Sequence, residues 1–398
     1  MMTKLKRILA LLTALTLCLS LAACNNHAET ESDNADPENS ASAEVSDSPD
    51  ETSTDPDSSP APEASDPIAD IDVDLNQTMY EFSSGLKDSD TAVTVNGVDI
   101  SNDEFFYWLS YYCYNAAYYG SFYGYDMDFS DAEIRQDMID STTDAVAYHA
   151  VLRQMCEKEN VVPNETQLAE VQQQIDENGL DYLLKSYGVT EPTLRRIAED
   201  NYLFTNYSDK KVGQPSEADL EQYVSDNGIF SVKHILLRTV DENNNPLGDS
   251  EIAEKRTKAE DLLAQLKAAN DLETTFDTLM NENSEDTGLA YYPDGYTYDK
   301  DDSLVDGFRE GVLALEPGQM SDIVETSYGY HILLRLPVDA NSYHDEWLSE
   351  KGEALVRAEV DKADIKVSDG INNLDLKNFY NRYMAYSDAL YSSMSSED

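Results

Sequence analysis

Between residues 25 and 74 the chain carries 16 Asp and Glu, no Lys or Arg, no aromatic residue and six of its 13 prolines. Such a stretch cannot bury enough apolar surface to offset the entropy of ordering it, so disorder is expected there. The boundary of this acidic linker is expected to fall at 24–88, which leaves the folding to the residues after it. The same bias runs through the whole chain. Its 398 residues hold 27 Lys+Arg against 79 Asp+Glu, a formal net charge of −52. Nucleic-acid binding, which rests on clustered cations and counterion release, is excluded as a class. Docking on anionic lipid headgroups through basic residues is excluded with it. A hydrophobic content of 41%, with 26 Tyr, still supplies a core for two or three domains.

The first 23 residues read as a targeting segment. Lys4, Lys6 and Arg7 precede a nearly unbroken apolar run that ends Leu21-Ala22-Ala23-Cys24. The run is too short and wrongly flanked for a membrane span but fits an export signal. Its end resembles a bacterial lipobox, which implies cleavage before Cys24 and lipid attachment to that cysteine. Localisation at the outer face of a bacterial cell membrane, through a lipid anchor, follows as an expectation. Stable anchoring then needs no basic residues, because lipid chains supply it.

The folded part is expected to begin near residue 90. Val93, Val95, Val98 and Ile100 flank Asn96-Gly97, the dipeptide suited to a tight hairpin. Helix starts are read at Ser101 with Glu104, Ser130 with Glu133, Asn164 with Gln167 and Ser216 with Asp219, and helix stops at Gly179 and Gly188. Residues 101–226 thus predict six helices. Phe105, Trp108, Leu109, Tyr112, Ala116 and Tyr119 lie on one face of the first. Tyr111, Tyr114, Tyr118, Tyr123 and Tyr125 add an aromatic surplus, read either as core or as a surface that holds unfolded polypeptide. Cys113 and Cys156 are the remaining thiols. Two buried free thiols or a disulfide both fit the sequence.

From Phe230 the pattern changes class. A short buried strand over 230–237 precedes helices near 250–269 and 274–283. A Pro/Gly/Asp-rich segment and a third helix near 305–315 follow. Turn chemistry at Glu316-Pro317-Gly318 leads to strands near 321–325 and 330–336. The order β-α-α-(β)-α-β-β predicts an α+β domain.

Three blocks of this region carry a resemblance. Val232-Lys233-His234-Ile235-Leu236-Leu237, the run from Gly311 through Gly318 to Val324, and the run from Thr326 through Gly329 to Leu334 resemble parvulin-type peptidyl-prolyl isomerases. With the helical regions around it, the chain is similar to PrsA- and SurA-like foldases. The resemblance implies domains at 1–23 (lipoprotein signal peptide), 24–88 (linker), 89–226 (helical, chaperone-like), 227–339 (parvulin-like) and 340–398 (C-terminal helices packing back on the helical domain). It implies His234 and His331 as paired histidines that hydrogen-bond each other, with Asp286 and Thr326 completing the catalytic set. Leu304 and Phe308, four apart on the third helix, would form the pocket for a proline ring. The implied partners are unfolded or newly exported polypeptides containing proline. A homodimer is left open.

No cofactor is called for, since isomerisation breaks no bond, and no cluster has metal-ligand spacing. The Gly-Asp-Leu-Gly segment expected after Asp286 is replaced here by residues 291–298, with tyrosines at Tyr291, Tyr292, Tyr296 and Tyr298. The other reading is therefore a polypeptide-binding chaperone whose parvulin module is degenerate and non-catalytic.

Overall fold

The protein is described from a computed structural model that covers residue 68 and residues 70–395. The export segment, Cys24 and most of the acidic linker lie outside the described residues. Those described divide into two compact units: residues 68, 70–213 and 349–395, and residues 214–348.

The first unit begins earlier than the sequence suggests. Helix α1 (Met79–Ser84) is ordered, with Tyr80 and Phe82 almost fully buried. The expected linker boundary at 88 is corrected accordingly. Six residues are too few to show a helical period. They are held by a helix some 300 positions later, α13 (Leu376–Ser395). There the Arg382 guanidinium lies 4.0 Å over the Phe82 ring and donates from Nε to Phe82 O, and Tyr386 donates to Gln77 O.

Strands β1 (Thr91–Val95) and β2 (Val98–Ser101) form the expected hairpin, with Asn96 at φ 52 and Gly97 at φ 84 in the turn. β7 (Ile365–Val367) pairs antiparallel with β1 and makes a three-stranded sheet. It interrupts a C-terminal segment expected to be wholly helical, between α11 (His344–Val360) and α12 (Asp369–Asn372). Six helices follow the hairpin along the chain. α2 (Asn102–Phe122), α3 (Ala132–Glu159), α4 (Glu165–Asn178), α5 (Leu180–Tyr187) and α6 (Glu191–Lys211) belong to this unit, and α7 (Glu217–Asp226) belongs to the second.

Capping boxes form at Asn164/Gln167 and Ser216/Asp219. Two others do not. Asp131 caps α3, while Ser130 donates its hydroxyl to Asp128. At α2, Ser101 spends its hydroxyl on Asp103, and Glu104 turns inward. Glu104 is 1% exposed and pairs with Arg153 at 2.5 Å and Arg196 at 3.0 Å. Arg153 also forks onto Asp200, at 2.7 and 2.6 Å. A short polar helix start becomes the centre of a buried ion network.

Phe105, Trp108, Leu109, Tyr112 and Ala116 are core, and so is Cys113; Phe106 joins them where Phe379 of α13 stacks on it at 5.0 Å. Tyr114, Tyr118, Phe122 and Tyr123 remain exposed. Cys113 and Cys156 are both buried and free, and burial pushes the Cys156 thiol up to about 12.

The second unit folds as the predicted α+β order. β3 (Phe230–Arg238) is followed by α8 (Asp249–Lys267) and α9 (Leu272–Asn283), then β4 (Tyr296–Tyr298), α10 (Asp306–Leu313), β5 (Val324–Glu325) and β6 (Gly329–Leu336). The antiparallel sheet has the order β4-β3-β6-β5. Alternation along β3 and β6 sorts the side chains. Ile235, Leu237, Tyr330, Ile332 and Leu334 pack with α8 and α9 on one face. Phe230, Val232 and Leu333 pack with Phe308 and Val312 of α10 on the other. α10 comes close because of Gly311. A Cβ there would stand 2.9 Å from both Leu333 Cδ1 and Val324 Cγ2.

Candidate functional site

β3 and β6 pair with His234 opposite Leu333 and Leu236 opposite His331. The two histidines are therefore diagonal neighbours on the α10 face of the sheet. Their ring centroids are 5.5 Å apart at 85°, and they form no hydrogen bond with each other. This corrects the expected histidine–histidine bond. The diagonal register sets the histidine spacing, and the Phe308 ring completes a nearly equilateral triangle with the two imidazoles. Phe308 presents its edge to His234 at 5.2 Å and to His331 at 5.4 Å.

Each histidine is held from its own side. The tight turn between β5 and β6, closed by Thr326 N–H to Gly329 O, places the Thr326 hydroxyl 2.9 Å from His331 Nε2. Asp286 arrives by a different route. After α9 the chain lies along β3, with Glu285 N–H bonded to Leu236 O and the Ser284 hydroxyl accepting from Leu236 N–H. Asp286 then caps a short 3₁₀ turn, Thr287–Ala290, by accepting from Gly288 N–H at 3.2 Å. Its other oxygen lies 3.1 Å from His234 Nε2, off the line of a straight hydrogen bond.

Electrostatics fix the protonation states. Burial, seconded by the neighbouring His234, pushes His331 down to about 3, so it is a neutral imidazole over the ordinary pH range. For Asp286, burial alone would raise the carboxyl. The His234 contact, the Tyr296 hydroxyl and the Gly288 amide outweigh it and hold the group at about 2. The site thus presents a neutral histidine, an anionic carboxylate and an apolar ring within one side-chain layer. His331 Nδ1 and both His234 nitrogens are buried without a hydrogen-bond partner among the described residues.

Of the residues named from the sequence, His234, His331, Asp286, Thr326 and Phe308 come together. Leu304 packs on the same apolar cluster, but it precedes α10 rather than lying on it. Two residues were missed. Tyr296 stacks on His234 at 5.5 Å and donates its hydroxyl to Asp286, and Tyr298 meets Phe308 edge-on at 6.3 Å. The alternation Tyr296-Thr297-Tyr298 is itself a strand signal that would have put both tyrosines on the face of His234. Phe308 and His331 are each 4% exposed, so the site is nearly closed. His149, to which no role was given, joins the ion network of the first unit, 3.0 Å from Asp200 and stacked on Trp108. Among the described residues no group of three or more His, Cys, Asp or Glu could hold a metal ion.

Residues 219–334 match the family described as the PPIC-type PPIase domain. The foldase protein PrsA of Clostridium kluyveri is 27% identical over 186 residues, covering 42% of this chain and 49% of that protein. The chaperone SurA of Thiobacillus denitrificans is 26% identical over 171 residues, 41% of this chain and 37% of that protein. The chain thus spans about half, or less, of the length of these relatives. The crystal structure of PrsA from Bacillus cereus aligns at 19% identity over 75% of this chain and 99% of that one, with a TM-score of 0.32. Residues 219–334, which contain every member of the histidine site, belong to the parvulin, or PPIC-type, peptidyl-prolyl isomerase family.

Proposed function

We propose that the second unit catalyses cis/trans isomerisation of Xaa-Pro peptide bonds, and that the whole chain is a lipid-anchored extracytoplasmic foldase for exported proteins. The reaction fits what the site contains. Rotation about an amide meets a barrier of about 18–20 kcal/mol, set by resonance that is lost in the twisted form. Proline leaves cis and trans nearly equal in energy, so only the barrier needs lowering. No nucleophile is required. The proline ring would lodge against Phe308 and Leu304. The Asp286 carboxylate, set beside the carbonyl oxygen, would disfavour the partial negative charge of the planar amide more than the smaller one of the twisted amide. The neutral His331 imidazole offers a hydrogen-bonding group without adding a charge that would freeze one state.

The observation that carries this reading is Phe308 set edge-on to both imidazoles inside a PPIC-type domain, with Asp286 on one histidine and Thr326 on the other. Refolding of a denatured protein limited by a trans-to-cis proline step tests it, since that phase takes ~10–100 s uncatalysed. The full chain should shorten the phase in proportion to its concentration. A phase that stays unchanged while the full chain binds the unfolded protein counts for the second reading, a polypeptide-binding chaperone without turnover. The near-complete burial of Phe308 favours that alternative.

The anchor rests on the sequence around Cys24. Acyl labelling of the cell-expressed chain that disappears in Cys24→Ala supports it, and labelling that persists removes it. Clients are then proline-containing polypeptides met outside the membrane, with basic segments preferred over acidic ones by the chain's charge of −52.

A further inference from the structure

The segment that departs from the family pattern carries a part of its own. We infer that Tyr296 is a positioning residue of the site: its hydroxyl clamps the Asp286 carboxylate beside His234, and its ring holds the His234 imidazole parallel to itself. This rests on the isomerase reading for its consequence, but not for its geometry.

Rotation of the Asp286 carboxylate is stopped at both oxygens. One accepts from Gly288 N–H, and the other, the atom nearest His234 Nε2, accepts from the Tyr296 hydroxyl. Without Tyr296, nothing among the described residues would hold that second oxygen except the off-line histidine contact. The tyrosine is itself held. β4 pairs Tyr296 with Val232, two residues from His234 on the same face of β3. Its ring stacks on His234 at 5.5 Å and 19°, Tyr298 stacks on it at 5.8 Å and 9°, and Tyr292 packs on it at 5.0 Å.

Space was left for the hydroxyl. A Cβ at position 288 would collide with it, so glycine there and tyrosine at 296 belong to one arrangement. The phenol keeps its proton, because burial and the adjacent carboxylate both raise its pKa. It is therefore a fixed donor, and Asp286, held at about 2, a fixed acceptor, at neutral pH. The altered segment thus supplies the site with a second-oxygen clamp from a residue type that the family pattern does not call for.

The test uses the full chain, with Tyr296→Phe beside Tyr291→Phe, an exposed tyrosine of the same segment. kcat and KM on a short Xaa-Pro peptide are measured between pH 4 and 8, and the Asp286 carboxyl carbon is titrated by NMR. A charge-assisted hydrogen bond of this kind implies a fall in kcat of about tenfold or more, with KM within about twofold. The Asp286 midpoint should rise by about one pH unit, and Tyr291→Phe should change neither quantity. A Tyr296→Phe protein with unchanged kcat and an unmoved midpoint overturns the inference. If the unsubstituted chain shows no turnover, the isomerase reading falls, and the midpoint alone decides the clamp. Should Tyr296→Phe not fold, the unsubstituted protein answers. A slowly exchanging Tyr296 hydroxyl proton coupled to the Asp286 carboxyl carbon supports the clamp, and a rapidly exchanging one contradicts it.

Discussion

Thr326 Oγ1 and His331 Nε2 lie 2.9 Å apart across the turn between β5 and β6, and the same oxygen accepts the backbone N–H of Tyr328. The turn and the histidine are thereby one unit. A hydroxyl already fixed by the backbone orients the imidazole, and the imidazole's burial keeps it neutral. Thr326→Val removes the hydroxyl and leaves a buried ring nitrogen with no partner. Loss of about 1–3 kcal/mol of stability in the second unit is expected, with a turnover loss of about tenfold. Thr326→Ser should restore both. A Val protein as active and stable as the parent contradicts this role.

The neutral state of His331 has a signature in stability against pH. An unfolded histidine takes up a proton near pH 6.5, whereas this one resists until about 3. Its contribution is therefore complete above pH 6.5 and drains away as pH falls towards 3, by up to about 1.4 kcal/mol per pH unit. Asp286, held at about 2, adds a loss in the same direction, below pH 4. Denaturant unfolding of the parent and of His331→Gln at pH 7, 6, 5 and 4 should show the gap between them narrowing as pH falls. A constant gap would mean that the histidine is not buried neutral.

Asp88 predicts the opposite slope. Burial, with the charges of Glu81 and Asp103, pushes its carboxyl up to about 6 against the Thr78 hydrogen bond. A raised carboxyl contributes its stability below pH 4 and loses it as pH rises through 6. Asp88→Asn should therefore stabilise the first unit at pH 7 by about 1–3 kcal/mol and do almost nothing at pH 4. Amide exchange in α2 reads the effect locally, and equal effects at both pH values would refute it.

Arg153 is the cation that Glu104 and Asp200 share. Both carboxylates are nearly fully buried, so Arg153→Met leaves buried charge with only the more exposed Arg196 to compensate Glu104. A loss of about 3–5 kcal/mol is expected. It should be read as faster amide exchange in α2, α3 and α6, while the second unit is unchanged. Protection retained in those helices would show the network to be dispensable.

What the sequence made legible follows from the range of each signal. The caps at Asn164 and Ser216 are local, spanning three residues, and were read correctly, as was the Asn96-Gly97 turn. Glu104 carries the same local pattern, yet it belongs to Arg153, some 50 residues on, and no window shows that. α1 and β7 are six and three residues long and exist only through α13 and β1, so periodicity had nothing to measure. In the site, the two histidines and Phe308 were legible only through the resemblance to parvulin-type isomerases, since neither strand alternation nor helix spacing singles them out. Tyr296 was not recognised because the segment was read as a loss of the expected Gly-Asp-Leu-Gly rather than as a strand with its own alternation.

The central claim is that the Phe308-His234-His331 constellation turns over Xaa-Pro bonds. Exchange NMR on a short Xaa-Pro peptide with the full chain, beside Phe308→Ala and His331→Ala, tests it directly. Cis/trans exchange should be accelerated well beyond the uncatalysed ~10–100 s timescale, with the acceleration lost or greatly reduced in both substituted proteins. A folded parent that leaves the exchange rate unchanged, or an acceleration that survives both substitutions, contradicts it.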